Sequence, residues 1–204
     1  MKIIVIAGKA KGVGKTTLAS YIIRNLKCRV GAVKTSIHDD PGDNIVTDDP
    51  DIINAEGTDT SIFVSSGADR VIYLASDDEH LHDSLDKAKG LIGNEDYLVI
   101  EGNRVLDYLK AALTIYIARK GVETKASAVR AKARADIIID ADDLFSILSK
   151  ESTAKEIPFV VNIDHIPCYK AHLIAHALGM TIFRIGKIID EQGIKVTHCQ
   201  LGLF

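Results

Sequence analysis

A short apolar run, Ile3-Ile4-Val5-Ile6-Ala7, leads directly into Gly8-Lys9-Ala10-Lys11-Gly12-Val13-Gly14-Lys15-Thr16-Thr17, and a helical pattern from Leu18 to Leu26 follows at once. This junction constrains the chain more than any other feature. A strand that feeds a glycine loop and then a helix is the context of a phosphate-binding loop. Glycines let successive backbone N–H groups turn inward with no Cβ in the way, and the helix start adds partial positive charge. Lys15 is then expected to reach the β- and γ-phosphates and the Thr16 hydroxyl to face Mg²⁺. Gly12, Val13, Gly14 and Thr17 complete the expected nucleotide contact.

Short apolar runs alternate with helical segments almost to the end of the chain, the pattern of an α/β fold with a mostly parallel sheet flanked by helices. The spacing predicts strands at Lys2–Ala7, Arg29–Thr35, Arg70–Ala75, Tyr97–Glu101, Leu113–Ala118, Asp136–Asp140 and Phe159–Asn162. Helices are expected at Thr16–Lys27, Thr60–Gly67, Glu79–Leu91, Lys125–Ala133, Ala141–Ser149 and Tyr169–Leu178. A long polar loop spans Ser36 to Asp59, and Arg184 to Phe204 reads as a hairpin around Glu191-Gln192-Gly193. The expected organisation is a P-loop nucleotide-binding domain over 1–150 and a C-terminal α/β extension over 151–204 that packs on or completes it.

A net charge of −3 with a pI near 6.2 speaks against a nucleic-acid or anionic-membrane surface. No apolar stretch reaches the roughly 20 residues that span a bilayer. Three widely spaced cysteines, Cys28, Cys168 and Cys199, argue against a disulfide framework, and a cytoplasmic location is expected.

Further residues carry chemistry. Glu101 ends an apolar strand, the place from which an acid holds Mg²⁺ directly or through water, and Gly102 beside it would let a backbone N–H approach the γ-phosphate. Lys34 ends the second strand, where it either stabilises phosphoryl charge or an anionic substrate or is simply a solvated strand end. Asp39, Asp40 and Asp43 are candidates for a second Mg²⁺ contact, or turn formers around Pro41-Gly42. The guanine-reading Asn-Lys-x-Asp string is missing, so GTP and ATP both stay open; Asn162, at an expected strand end, is a candidate base reader. Cys168, His172 and His176 fall on one helical face, with His165 just before it and His198 and Cys199 further on, as a candidate Zn²⁺ site or an ordinary buried helix face.

The loop itself departs from the standard spacing, which would place a glycine at Lys9. Lys11 to Thr16 resembles the latter half of the variant loop of partitioning and metallochaperone ATPases, with Ala10 at the leading lysine position and Lys9 or Lys11 as possible substitutes. Four segments occur in one order: the loop, Val33-Lys34 with His38-Asp39, Gly57-Thr58-Asp59-Thr60 with Ser66-Gly67-Ala68, and Leu98-Val99-Ile100-Glu101-Gly102. Over about residues 1 to 120 that order resembles the molybdopterin-guanine dinucleotide biosynthesis protein B family. The family's histidine-rich stretch is reduced to His38, and Asn103 stands where an aromatic is usual. Dethiobiotin synthetase is similar in the loop, the strand-end lysine and Val-Glu-Gly. The resemblance implies a Mg²⁺-dependent nucleotide-binding protein, commonly a homodimer, that hydrolyses GTP weakly and assists the enzyme attaching a nucleotide to molybdopterin. It carries over Gly12, Gly14, Lys15, Thr16, Glu101 and Gly102, together with Asp59 and Thr60. The alternatives are a small-molecule kinase or ligase, and a nucleotide-switch ATPase with a protein partner.

Overall fold

The tight spacing of Ile, Val and Leu along the apolar runs becomes six parallel strands buried on both faces. They are β1 (Lys2–Gly8), β2 (Val30–Ile37), β4 (Arg70–Ser76), β5 (Tyr97–Glu101), β6 (Leu113–Ala118) and β7 (Ile137–Asp140). The computed structural model describes residues 1–38, 44–149 and 156–199, so Asp39, Asp40 and Asp43 lie outside the described residues. Two short strands, β3 (Ile45–Thr47) and β8 (Val160–Val161), add antiparallel edges, giving the order β3-β4-β2-β5-β1-β6-β7-β8. The expected α/β architecture, a mostly parallel sheet flanked by helices, is the one observed.

Alternation along β1 sends Ile4 and Ile6 to one core layer and Val5 and Ala7 to the other. The first layer holds Leu18 and Ile22 of α1 (Lys15–Asn25), Leu144 of α6 (Ala141–Leu148) and Ile174 of α7 (Cys168–Leu178). The second holds Leu81, Leu85 and Ala88 of α4 (Leu81–Ile92) and Ala128 and Ala131 of α5 (Ala126–Ala133). Burial on both faces explains why these strands read as continuous apolar runs instead of alternating ones.

The expected loop from Ser36 to Asp59 is partly built. β2 runs on to Ile37, β3 pairs with β4, and two short helices follow, α2 (Pro50–Ile53) and α3 (Asp59–Ser65). The β-branched triplet Ile45-Val46-Thr47 is the local cause of β3.

The C-terminal expectation needs correction. Residues Ile182–Glu191 form helix α8, capped by the Thr181 hydroxyl, which accepts from the Arg184 N–H. Ile182, Ile185 and Ile189 stack on one face at a helical period, and the turn at Gly193, with φ 68°, ends this helix instead of joining two strands. The strand that follows, β10 (Lys195–Thr197), pairs parallel with β9 (His165–Pro167) instead of closing a hairpin. Among the described residues no single helix is long and apolar enough to cross a membrane.

β8 joins the main sheet and α7 lies along α1, where the Tyr21 hydroxyl donates to the Leu178 carbonyl at 3.0 Å and the Asn25 amide to Ala177. Ile174 is fully buried in the same layer as Leu18 and Ile22. Ile174→Ala is therefore expected to lower the melting temperature of the whole chain in one transition, at a cost of about 2–5 kcal/mol. Calorimetry checks this; an early transition confined to the C-terminal part, with the main one unmoved, would contradict it.

Candidate nucleotide-binding site

The glycine loop lies between β1 and α1, and its shape follows from two left-handed residues, Gly12 at φ 75° and Gly14 at φ 100°. Any side chain at either would be strained. A Cβ on Gly14 would also come within 3.1 Å of Leu144 Cδ2 and of Phe145 Cζ, so α6 closes against the loop at this point. Val13 is turned into the core, 1% exposed, and its side chain anchors the loop instead of meeting a ligand. The Lys9 N–H donates to Ile117 of β6, and Lys11 is exposed. Helix α1 starts with no capping side chain and no acid in its first turn. Its first N–H groups and its partial positive charge are thus not answered by a side chain, which favours an anion there. Thr17 lies exposed in this first turn.

Lys15 folds back across the loop, donating to the Ala10 carbonyl at 2.9 Å. Burial lowers its ammonium below the ordinary lysine value, with Glu101 opposing and Lys34 adding to the shift. A phosphate in the loop would replace a neutral carbonyl by a full negative charge, a much stronger partner for this cation.

Sheet order brings the other groups together. β5 lies between β1 and β2, and Glu101 is in register with Ile6 on one side and Lys34 on the other. Its carboxylate, 3% exposed, accepts from the Thr16 hydroxyl at 2.8 Å and from Lys34 Nζ at 2.6 Å. Lys34 Nζ also meets Asp59 Oδ2 at 2.5 Å, at the start of α3. A solvated strand end does not describe Lys34, whose side chain is 18% exposed and paired twice. Burial works to lower the Lys34 ammonium, but the charge of Glu101 and the hydrogen bonds of Asp59 and Glu101 prevail and raise it. Partial burial likewise works to raise the Asp59 carboxyl, and Lys34, with help from the Thr16 hydroxyl and Lys15, holds it below the usual range. The stabilisation from Asp59 is thus present above the ordinary carboxylate value and fades as pH falls through its lowered folded value.

One side-chain amide and one hydroxyl complete the frame. Asn103 pairs with Gly8 in both directions at 2.9 Å, its Oδ1 accepting the Gly8 N–H and its Nδ2 donating to the Gly8 carbonyl. The end of the acid-bearing strand is thereby tied to the start of the loop. Sequence reasoning noted Asn103 only as a departure, although the β1–β5 pairing that makes Ile6 face Glu101 implies it. The Thr35 hydroxyl donates to the Glu101 carbonyl at 2.6 Å, and it is so close to Gly102 that a Cβ there would collide with it.

Three expectations change. The Gly102 N–H donates to the Ile6 carbonyl at 3.1 Å, so it is committed to the frame and not free for a γ-phosphate. Thr60 is buried, its hydroxyl against that of Thr58. Asn162 is not a base reader: β8 runs antiparallel to β7, which carries its end to the opposite edge of the sheet from the loop. There the Asn162 amide donates to the Lys132 and Ala135 carbonyls at 3.0 Å, tying down the chain between α5 and β7. As for the C-terminal metal candidate, no group of three or more His, Cys, Asp or Glu among the described residues is placed to hold an ion. His172 and His176 belong to no such cluster.

The donors around Glu101 fit Mg²⁺ in kind. The Thr16 hydroxyl and the Glu101 and Asp59 carboxylates are hard oxygen ligands, and this ion commonly takes one or two carboxylates with the rest from phosphate and water.

No protein-family model matches the chain, and no curated protein does. Among solved structures it is similar to the "apo" form of LpxK from Aquifex aeolicus in complex with ATP, at 15% identity over 100% of this chain and 74% of that one, TM-score 0.46. It is also similar to MinD in the MinC:MinD cell division complex of A. aeolicus, at 15% identity over 96% and 79%, TM-score 0.35. MinD alone from that organism gives 16% identity over 96% and 80%, TM-score 0.34. Likeness at this level carries no functional weight.

Removing the Lys34 charge should expose what it holds. Lys34→Met leaves Glu101 and Asp59 facing each other without a cation, which should cost about 2 kcal/mol, less than a fully buried pair because Asp59 is 39% exposed. MgCl₂ should raise the melting temperature of this variant more than that of the parent, since a dication can replace the lost ammonium. Equal responses would show that the two carboxylates do not form a cation site.

Proposed function

We propose that the chain binds a Mg²⁺–nucleoside triphosphate in the loop from Gly8 to Thr17 and slowly transfers its terminal phosphoryl group to water. The observation that carries this reading is the Glu101 carboxylate, buried between the Thr16 hydroxyl and Lys34 beside an uncapped helix start. Loop N–H groups and Lys15 would hold the phosphates, with Lys15 leaving the Ala10 carbonyl for the β- and γ-oxygens. Thr16 and Glu101 would hold the ion, with Asp59 next to them. Bound there, Mg²⁺ neutralises phosphate charge and orients the terminal group. Lys34 would then be released from part of its pairing and face the charge that grows on the transferred group.

The narrower role implied by the resemblance, an adapter for attaching a guanine nucleotide to molybdopterin, rests on sequence motifs alone. With Asn162 at the far edge, none of the described residues favours GTP over ATP. A second reading has a specific observation behind it: Lys34 is enclosed and doubly paired, as befits a group reserved for a transferred or substrate anion. On that reading the acceptor would be a small molecule, as in a kinase or ligase, in place of water.

Lys15→Ala should abolish Mg²⁺-nucleotide binding while leaving the nucleotide-free melting temperature nearly unchanged, because the lysine ammonium meets a carbonyl of its own loop. Titration calorimetry with ATP and GTP decides it; unchanged affinity for both would end the phosphate-loop reading. Lys34→Ala should lower single-turnover phosphoryl transfer on the order of a hundredfold with nucleotide affinity nearly intact. A parallel loss of both would place Lys34 on the nucleotide itself.

A further inference from the structure

β9 and β10 pair in register from His165 with Lys195 to Pro167 with Thr197. Beyond the last pair Cys168 opens α7, while β10 continues into His198 and Cys199. His198 is the one non-glycine residue among the described residues with positive φ, at 56°, a conformation L side chains rarely adopt. Immediately after this kink, Cys199 comes close enough to the Cys168 thiol to act on it electrostatically. Two neighbouring thiols, with no third metal-binding side chain among the described residues placed to complete a cluster, make a dithiol and not a metal site. Both cysteines are partly exposed and so within reach of a small oxidant, and Cys28 is exposed.

We propose that Cys168 and Cys199 form a reversible disulfide that fastens the β10 segment to the start of α7. The oxidant is a peroxide. One thiol, as its thiolate, attacks a peroxide oxygen, giving a sulfenic acid and one water; the second thiol attacks that sulfur, the S–S bond forms and a second water leaves. Hydrogen peroxide takes up two electrons and the two thiol protons, so two thiols and one peroxide give one disulfide and two waters. Burial, then the neighbouring Cys199, holds the Cys168 thiol above its ordinary value, so only a small thiolate fraction attacks the peroxide and oxidation is slow. The bond would close the loop that contains α7, α8 and β10, restricting the unfolded chain and raising the melting temperature. Cys168 and Cys199 lie one and two residues beyond the last pair of one short ladder, which keeps the backbone movement needed to bring the sulfurs into bonding range small.

The full chain, reduced and then freed of reductant, is treated with hydrogen peroxide, alkylated and mapped by non-reducing peptide mass spectrometry. The expected result is a peptide linking Cys168 to Cys199, lighter by two hydrogens, with Cys28 alkylated, full reversal by dithiothreitol, and a higher melting temperature in the oxidised form. Cys168→Ser and Cys199→Ser should each abolish the linked peptide and leave the remaining thiol trapped by dimedone as sulfenic acid, and Cys28→Ser should behave as the parent. Three alkylated cysteines, sulfinic acid on Cys168 or Cys199 without a crosslink, or crosslinks only through Cys28 between chains would each overturn the proposal.

Discussion

The Glu101 carboxylate holds the site together. It is almost wholly withdrawn from water, and a buried charge is tolerable only where partners answer it. Lys34 answers it with a positive charge and Thr16 with a hydroxyl, so two loops and a helix start must meet where β5 ends. That meeting is possible only because β5 lies between β1 and β2 in parallel register. Chain topology thus places groups 67 and 85 positions apart in sequence within one hydrogen bond of each other. Asp59 and Asn103 then fix the remaining freedom, one by pairing with Lys34 and the other by gripping Gly8.

Such a site couples charge to shape. Lys15 and Lys34 bring two positive charges, Glu101 and Asp59 two negative ones, and the resting arrangement is balanced without a ligand. A triphosphate with its metal would exchange these internal pairings for external ones. The resting contacts, Lys15 on Ala10 and Lys34 on two carboxylates, define what has to be given up.

Legibility in the sequence followed how local each cause was. The strand, loop and helix from Lys2 to Asn25 are contiguous, and backbone and side-chain rules suffice to read them. The apolar strands β5 and β6 emerged with the bounds that their residue types imply. Glu101 was legible as a strand end, whereas Lys34, expected near one, lies inside β2, which runs on to Ile37; their pairing was not legible, because it depends on strand order. Asn162 misled for the same reason: a strand's residues do not reveal its direction, and in β8 the reversal carries the amide away from the loop. Asn103 lay hidden because its partner is a backbone group 95 positions away. In the C-terminal part a turn signal at Gly193 hid the longer-range helical spacing of Ile182, Ile185 and Ile189.

The two outer strands of the sheet have a consequence for how copies of this chain behave toward one another. Interior strands run for up to eight residues, yet β3 has three and β8 two, and both run against their neighbours. A strand from a foreign chain would find only a stub on either flank to zip onto, too short to align a register or to offset the ordering it demands. The apolar residues shown there, Ile45 and Val160, sit on ladders that end almost where they begin. Truncated borders of this kind guard an aliphatic sheet against edge-to-edge growth into fibres.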